Sequence, residues 1–330
     1  MQFIKALLSG DFFKPSVFKN NQQNDKVRVG IIGTGKIGAD LLAKVQRSPF
    51  MECVLFAGRN LDSAGMIYAA KLGVKISDKG INAFLDQSNR CDIVFDATSA
   101  AYHKEHAKLF EELGILAIDM TPSQIGECCV PALGMQEAVQ HRNISMISCG
   151  GQSSIPVAHI LAKYIPDVKK ISVSSVVSAN SIGPGTLANI DEYYRNTKAG
   201  LNKYTGVNDF DVELHVDDVN LETRMFTSVT AWCDAADLDA LHGPLNEMLM
   251  RIQRYVPGYR LESSPLVIDG GIRVDLSVEG LGDYLPKYAG NLDIINCAAI
   301  AVAEHYAKCL LDERHAQQVP TIKTGLQMEY

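Results

Sequence analysis

Short apolar runs alternate with amphipathic helical patterns along the first half of the chain. Strands are predicted over residues 27–32, 51–57, 91–97, 115–120 and 143–149, with helices over 37–46, 63–72 and 102–113 between them. Continuous apolar strands that alternate with helices are typical of a parallel sheet covered on both faces. The first half therefore predicts an α/β fold with a doubly wound parallel sheet of the Rossmann type.

The pattern changes in the second half, where polar and apolar residues alternate one by one. Half-exposed strands are predicted over 169–178, 209–216, 223–232 and 271–278, with a helix over 238–255. Such alternation indicates a mostly antiparallel sheet with one face open to solvent or to a partner. We expect a second, α+β domain here, followed by a long apolar-rich core helix over 289–311.

The composition is that of a globular protein long enough for two domains. The 330 residues are 47% apolar, and 38 acidic side chains exceed 31 basic ones, which gives a net charge of −7. This mildly acidic balance argues against a main role in binding nucleic acid or anionic lipid. No apolar run of about 18 residues is found, so we expect no membrane span.

The N-terminal segment and the cysteines bear on localisation. The first 26 residues lack a basic stretch followed by an apolar core, so we expect no secretory signal. The eight cysteines form no C-x-x-C pair, and several lie in apolar runs, so neither a zinc site nor a disulfide framework is expected. Free thiols indicate a reducing compartment, and we expect a cytoplasmic protein.

A glycine-rich turn follows the first predicted strand and opens the first helix. The G-x-G-x-x-G pattern of dinucleotide-binding turns is fitted by Gly33, Thr34, Gly35, Lys36, Ile37 and Gly38. The first glycine permits the tight turn, the second lets the backbone approach a pyrophosphate, and the third lets the helix pack on the strand. The helix N-terminus supplies amides for the phosphates. We expect a nicotinamide cofactor here; the alternative is a tight turn without a ligand.

The loop after the second strand bears on the choice between NAD and NADP. An acidic residue there binds the ribose 2′-hydroxyl of NAD, whereas an arginine accommodates the 2′-phosphate of NADP. This chain has Arg59 and Asn60 in that position. NADP is therefore favoured over NAD; the alternative is that Arg59 is a solvated charge and that Asn60 binds the ribose of either cofactor.

Cys149 ends a predicted strand and is followed at once by a helical pattern. Ligands of open α/β sheets bind at the carboxyl ends of strands, and a helix N-terminus favours the thiolate form of a cysteine. Gly150 and Gly151 leave room for a substrate carbonyl, and nearby amides are suited to hold an oxyanion. Cys149 is thus a candidate nucleophile; the alternative is a buried structural thiol.

Seven sequence blocks occur in order between residue 27 and about residue 311. They read VRVGIIGTGKIGADL, DIVFDATSA, AIDMTPSQIGECCVP, ISCGGQSSIP, GPGTLANIDEY, YVPGYRL and YLPKYAGNLDI. Together with a nicotinamide fold and a nucleophilic cysteine, these blocks resemble the acylating acetaldehyde dehydrogenases. Those enzymes depend on coenzyme A and partner with 4-hydroxy-2-oxovalerate aldolase.

The resemblance implies a role for several residues. Cys149 is the family's nucleophile, Asn189 contacts the substrate or the oxyanion, and Asn291 lies near the nicotinamide. Thr98 and Ser99, at the end of a parallel strand, lie where the cofactor passes. A helix N-cap is the alternative role for Asn189.

The resemblance also implies an activity. An aldehyde and its acyl-CoA are interconverted through a thioester on the nucleophile, with NAD(P) accepting the hydride and coenzyme A accepting the acyl group. A homodimer and an aldolase partner are expected. Two alternatives stay open: a phosphate-dependent semialdehyde dehydrogenase, which the Ser148-Cys149-Gly150 block disfavours, and a non-catalytic NADP-binding partner protein.

Two stretches depart from the family pattern. A family acid that is thought to activate the nucleophile or coenzyme A is replaced by Met225, next to Arg224. Arg59 and Asn60 stand where the family more often has a hydrophobic residue and an aspartate. We therefore expect a specialised relative that acts on a bulkier or carboxylated substrate.

The same patterns predict the domain limits and bear on metal binding. An N-terminal arm (1–26) precedes a dinucleotide-binding domain (27–149) and a catalytic and dimerisation domain (150–288). A C-terminal helix (289–316) returns to the first domain, before a tail (317–330). His103 and His106 lie on one predicted helix, but no third ligand is indicated. We therefore expect no metal and a solvated first turn.

Overall fold

The first half of the chain folds into the parallel sheet that its alternating pattern predicts. The computed structural model describes residues 26–182, 190–234 and 238–318. The strands of the first sheet are β1 (Val27–Ile32), β2 (Met51–Ala57), β3 (Ile76–Ser77), β4 (Ile93–Asp96), β5 (Leu116–Asp119), β6 (Glu127–Cys128) and β7 (Asn143–Ser145). Their order is β3-β2-β1-β4-β5-β7-β6, and all their pairings are parallel.

Helices cover both faces of this first sheet. They are α1 (Lys36–Arg47), α2 (Ala64–Lys71), α3 (Ala100–Glu112) and α4 (Pro131–Ala138), with short 3₁₀ helices over Gly80–Leu85 and Gln87–Asn89. One apolar cluster joins Val29 and Ile31 of β1 to α1, and a second joins Ile32 of the same strand to Phe84 and Phe110. Because β1 is buried on both sides, its sequence is apolar except for Arg28, which is partly exposed.

The second half forms a sheet with helices on one face. Its strands are β8 (Lys170–Ser178), β9 (Phe210–Asp217), β10 (Met225–Trp232), β11 (Tyr259–Leu261), β12 (Leu266–Ile268) and β13 (Gly271–Val278). The helices are α5 (Cys149–Tyr164), α6 (Ile190–Thr205), α7 (Asp239–Gln253) and, at the end of the described chain, α8 (Gly290–Gln318). The strand order is β11-β13-β10-β8-β9, and β12 also pairs with β13.

Most pairs of the second sheet are antiparallel, as predicted, but β8 and β9 are parallel. A parallel pair needs a crossover connection, and α6 lies between these two strands in the chain. On β8 the buried residues Ile171, Val173, Ser175 and Val177 alternate with partly exposed neighbours. The alternation confirms that one face of this sheet is packed and the other is open.

Several predicted bounds are wrong. The strand predicted over 143–149 ends at Ser145, because Ile147 adopts a left-handed backbone conformation with φ of 66°. The sequence patterns did not predict the helices α4 and α6 or the short strands β3, β6, β11 and β12. Two- and three-residue edge strands carry too little pattern to be recognised. The predicted arm and tail lie largely outside the described residues, and the predicted domain limits stay a prediction.

The last helix combines great length with an apolar composition. By length and composition alone, the stretch Gly290–Gln317 is long and apolar enough to cross a membrane, a test that the core helix of a globular protein also passes. Half of its most apolar window is buried inside the protein. Ile295, Ala298 and Val302 pack in the same apolar cluster as Val29 and Ile31 of β1. The helix is therefore part of the first sheet's core, as the sequence pattern predicts.

A buried ion-pair cluster links α1 to the chain segment around α8. The Lys44 ammonium lies 2.8 Å from Asp40, 2.9 Å from Asp283 and 2.7 Å from Asp293. Burial alone would lower the pKa of Lys44, but the acidic groups of Cys297, Asp293 and Asp40 outweigh it and hold the pKa above its usual value. The three carboxylates are close enough together to hold a metal ion, and the ammonium of Lys44 occupies the space between them.

Candidate active site

The first and third glycines of the G-x-G-x-x-G turn are required by close backbone contacts. Gly33 has a φ of 108°, and a Cβ on it would lie 2.4 Å from the carbonyl oxygen of Ala97. A Cβ on Gly38 would lie 1.9 Å from the carbonyl oxygen of Gly33. The first glycine therefore allows the turn to contact the end of β4, and the third allows α1 to approach β1, as the motif predicts.

The middle of the turn faces open space. Gly35 is the exposed N-cap of α1, and a Cβ on it would meet no atom within 4 Å. The α1 N-terminus therefore has room for a phosphate group, which fits the predicted dinucleotide. Lys36 donates a hydrogen bond to the carbonyl oxygen of Asn180 at 2.9 Å, whereas Ile37 is half-buried against apolar neighbours.

The loop after β2 lies beside the turn. The hydroxyl of Ser63 donates to Thr34 Oγ1 at 3.0 Å, and a Cβ on Gly58 would lie 2.4 Å from the Thr34 methyl group. Arg59 is exposed, donates to the hydroxyl of Tyr102 at 3.1 Å and lies over that ring at 5.3 Å. The loop thus presents one guanidinium next to the predicted cofactor turn.

Asn60 and Ser99 have local structural partners. The side-chain oxygen of Asn60 accepts a hydrogen bond from the Asp62 amide at 2.9 Å, which closes the loop. Ser99 is the N-cap of α3, with no side-chain capping bond. Thr98 donates to Asp96 from its amide and from its hydroxyl. Thr98 and Ser99 therefore follow β4 at the sheet edge where the glycine turn lies.

His103 and His106 are buried, so the prediction of a solvated first turn is wrong. Their Nδ1 atoms lie 2.9 Å and 2.8 Å from the same oxygen of Asp96. Burial would raise the pKa of Asp96, but the hydrogen bonds from the two histidines lower it to about 2. Burial raises the pKa of Asp119, near His103, to about 6. The two imidazoles thus bind the Asp96 carboxylate, which also accepts the hydrogen bonds from Thr98.

Cys149 is the first residue of α5 and follows a strained turn. Ile147 is β-branched, and its left-handed φ of 66° is rare for such a residue. A Cβ on Gly151 would lie 2.8 Å from the Ile147 side chain, and one on Gly200 would lie 3.1 Å from it. These two glycines make room for Ile147, so packing stabilises the strained conformation that leads into Cys149.

Hydrogen bonds hold the residues around Cys149. Ser148 is the N-cap of α5: its hydroxyl accepts the Gly151 amide at 2.9 Å and pairs with the hydroxyl of Thr197 at 2.7 Å. The side chain of Gln152 donates to the carbonyl oxygens of Cys129 and Met146. A serine before a helical pattern is a recognisable N-cap signal, whereas no sequence signal reveals the strain at Ile147.

The Cys149 thiol is free and half-buried. Burial raises its pKa to about 11, and the backbone amides of Gly150 and Cys149 oppose that rise. The helix N-terminus therefore acts in the direction that the sequence predicts, but burial has the larger effect. A group that stabilises negative charge on the sulfur would thus have a large effect on its reactivity.

Asn291 and Met225 lie at buried positions, and Asn189 lies outside the described residues. The Asn291 amide donates to the Ser181 carbonyl oxygen at 3.2 Å, while its own oxygen is buried without a hydrogen bond within the described chain. Ser181 follows β8 next to Asn180, the partner of Lys36. Met225 is fully buried in the apolar core of the second sheet.

Comparisons with known proteins identify the family. The family model described as "Prokaryotic acetaldehyde dehydrogenase, dimerisation" matches residues 149–286, and "Semialdehyde dehydrogenase, NAD binding domain" matches residues 28–124. An acetaldehyde dehydrogenase from Pectobacterium atrosepticum is 48% identical over 85% of this chain and 96% of its own length. The chain belongs to the acetaldehyde dehydrogenase family. An acetaldehyde dehydrogenase from Spirochaeta aurantia is 44% identical over 86% of this chain and 95% of its own.

Family membership confirms the resemblance seen in the sequence blocks. A solved structure of aspartate semialdehyde dehydrogenase II from Vibrio cholerae is similar in fold, with a TM-score of 0.56 and 16% sequence identity. The match covers 86% of this chain and 99% of that chain. This chain and that enzyme thus share an overall fold.

Proposed function

We propose that the chain is an NAD(P)-dependent acylating aldehyde dehydrogenase with Cys149 as its nucleophile. The observation that carries the proposal is the position of Cys149 at the start of α5, after a strained turn held by Ser148 and Ile147. The same chain carries a family-matched NAD-binding domain over residues 28–124. A thiol of this kind, next to a nicotinamide domain, is suited to covalent oxidation of an aldehyde.

The proposed chemistry begins when the Cys149 sulfur attacks the carbonyl carbon and the carbonyl oxygen takes the negative charge. The Gly151 amide is already bonded to Ser148, so the amides of Cys149 and Gly150, which also stabilise charge on the Cys149 sulfur, are the proposed oxyanion donors of this turn. Asn189 is proposed as a further substrate or oxyanion contact. NAD(P) bound at the glycine turn would supply the hydride acceptor that converts this adduct to a thioester on Cys149. Transfer of the acyl group from that sulfur to the thiol of coenzyme A would release the product and regenerate the Cys149 thiol.

The cofactor site is proposed from the residues that meet at one edge of the first sheet. The glycine turn, Thr98 and Ser99 would contact the dinucleotide, and Asn291 would lie near the nicotinamide. The exposed guanidinium of Arg59 favours NADP over NAD, because it offers a positive charge for a 2′-phosphate. The side chain of Asn60 already closes its own loop, which supports Arg59 as the discriminating residue.

The assembly is proposed from the family and the open sheet face. The family model over residues 149–286 is described as a dimerisation domain, which supports a homodimer built on the second sheet. We also propose a cytoplasmic enzyme that acts on an aldehyde and an acyl-CoA, with an aldolase as partner. We propose that the dinucleotide-binding domain ends at residue 149 and that the catalytic and dimerisation domain follows it, close to where the dimerisation model begins.

A phosphate-dependent semialdehyde dehydrogenase is the second candidate. It is favoured by the match of residues 28–124 to a semialdehyde dehydrogenase domain and by the fold of the Vibrio cholerae enzyme. The two candidates differ in the acyl acceptor, coenzyme A or phosphate. The third candidate is a non-catalytic NADP-binding protein, for which we expect cofactor binding without turnover.

The decisive experiment measures the absorbance of reduced nicotinamide with acetyl-CoA or longer acyl-CoAs as substrate. We expect oxidation of NADPH that falls at least about a thousandfold in Cys149→Ala. Cys309→Ala is the matched control, because Cys309 is also a half-buried free thiol but lies on α8. Turnover of an acyl phosphate alone would establish the second candidate, and cofactor binding without any turnover would establish the third.

A further inference from the structure

The hydroxyl of Tyr193 is buried and makes no hydrogen bond of good geometry with the described residues. The side chain lies on α6 and is only 4% exposed. Buried hydroxyls in folded proteins are almost always paired, since an unpaired one destabilises the fold. Such an exception calls for an explanation, and a donor that is used in another state of the protein is one.

This hydroxyl lies against the first turn of the nucleophile helix. A Cβ on Gly150 would lie 1.9 Å from the Tyr193 oxygen, so only glycine at position 150 permits the contact. Gly150 is the residue directly after Cys149. Negative charge on the Cys149 sulfur also raises the pKa of the Tyr193 hydroxyl, so the two groups are electrostatically coupled.

The hydroxyl is available as a donor and not as an acid. Burial first, and the neighbouring Cys149 second, raise the pKa of Tyr193 well above its usual value, so the phenol keeps its proton. The Ser175 hydroxyl, which pairs with Thr227 at 3.1 Å, and the Gly150 backbone amide lie near the phenol oxygen as donors, and both oppose the rise in its pKa. The O–H of Tyr193 thus has no competing strong acceptor among the described residues.

We propose that the Tyr193 hydroxyl donates a hydrogen bond to the sulfur of Cys149 when that thiol is ionised. The inference rests on the proposed role of Cys149 as nucleophile. It gives the unpaired O–H a partner at the moment when negative charge forms beside it. It also gives the buried thiol a stabilising donor beyond the backbone amides of the helix start.

The test is the rate at which iodoacetamide alkylates Cys149, followed by mass spectrometry of the peptide that contains it. Tyr193→Phe keeps the ring and removes only the O–H. A hydrogen bond to a charged group is worth about a tenfold change in thiolate population, and the remaining thiolate is about threefold more nucleophilic. We therefore expect alkylation at a fixed neutral pH to slow between about threefold and tenfold.

Tyr194→Phe is the matched control, because Tyr194 packs edge-on against Tyr193 with ring centres 5.7 Å apart. We expect it to alkylate at the wild-type rate. Because the lost hydroxyl makes no hydrogen bond of good geometry with the described residues, Tyr193→Phe should melt at the same temperature as the wild type or higher. A lower melting temperature would indicate a structural role and would overturn the inference.

The outcomes separate this inference from the proposed function. Unchanged alkylation in Tyr193→Phe, with turnover still abolished by Cys149→Ala, overturns the hydrogen bond and leaves the nucleophile in place. Turnover that survives in Cys149→Ala removes the proposed function and the inference together. Slower alkylation in Tyr193→Phe and not in Tyr194→Phe supports the hydrogen bond.

Discussion

Ile147 shows how a single residue can prepare a site without touching the chemistry. Its left-handed backbone is a conformation that costs about 1–3 kcal/mol for a residue of this type. The side chain is accommodated by Gly151 and Gly200, and its amide donates to the Ser145 hydroxyl at 3.3 Å. The backbone thus changes direction sharply between β7 and α5, which brings Cys149 to the helix start.

Arg59 carries a prediction about the cofactor. In Arg59→Gln we expect kcat/KM for NADPH to fall about tenfold to a hundredfold, because a charge-assisted hydrogen bond to the 2′-phosphate is lost. The value for NADH should change by less than about twofold. Steady-state kinetics with both cofactors measure the ratio.

The control for Arg59 is Arg90→Gln, which removes the same charge. Arg90 is exposed and precedes β4, at the edge of the sheet opposite to the glycine turn. Arg90→Gln should therefore leave kcat/KM unchanged for both NADPH and NADH. An equal loss with NADPH and NADH in Arg59→Gln would show that the residue does not recognise the 2′-phosphate.

For single residues, the sequence predicts a role where only one residue type can fill the position. Gly33 and Gly38 are identifiable because a side chain at either position would collide with backbone. Arg59 is a candidate for cofactor recognition because it stands where NAD-binding domains carry an acidic residue. The burial of His103 and His106 was missed, because a charged-looking helix start gives no sign that Asp96 lies beneath it.

At the scale of elements, α3 is fixed to the sheet by a buried network of acids and histidines. His103 lies between Asp96 at the end of β4 and Asp119 at the end of β5. Asp119 also accepts hydrogen bonds from Thr121 and Ser123. The network connects two neighbouring strand ends to the helix that follows the Thr98 loop.

Asp119 makes stability depend on pH. Its folded pKa of about 6 lies above the unfolded value near 3.9, so the folded state holds this proton more tightly. This contribution is therefore complete below about pH 4 and is lost as the pH rises through about 6. We expect the free energy of unfolding to fall by on the order of 2 kcal/mol across that window, measured by urea denaturation.

Asp119→Asn should remove this contribution to the pH dependence of the unfolding free energy, since asparagine stays neutral. Glu105→Gln changes the net charge equally on an exposed part of α3 and should keep the slope. A slope that persists unchanged in Asp119→Asn would assign the pH dependence to another group.

Element existence was more predictable than element limits. The bounds of β2 and β13 match the prediction, because both strands have clear apolar patterns. The parallel pairing of β8 with β9 was not predicted, because α6 was missed. Its sequence is polar on one side and begins next to residues 183–189, which lie outside the described chain.

At the scale of the whole molecule, Lys44 connects distant parts of the chain. In Lys44→Met, the carboxylates of Asp40, Asp283 and Asp293 lose a shared counter-charge, and two of them are fully buried. We expect a loss of about 3–5 kcal/mol in the free energy of unfolding, measured by urea denaturation.

Lys169→Met is the control for Lys44, because Lys169 pairs with Asp234 at the exposed surface. It should change stability by less than about 1 kcal/mol. A comparable loss in both variants would mean that burial of the Lys44 cluster adds nothing beyond an ordinary surface ion pair.

The packing of α8 has a consequence for how the protein is made. The core beneath β1 includes Ile295, Ala298 and Val302, which leave the ribosome only after the entire second sheet. Domains generally fold as they emerge, but here α1 covers only part of this face of the first sheet, and the rest stays uncovered until α8 has been synthesised. The nascent polypeptide therefore carries an uncovered apolar surface through most of its translation, and chaperones that bind such surfaces would meet it there.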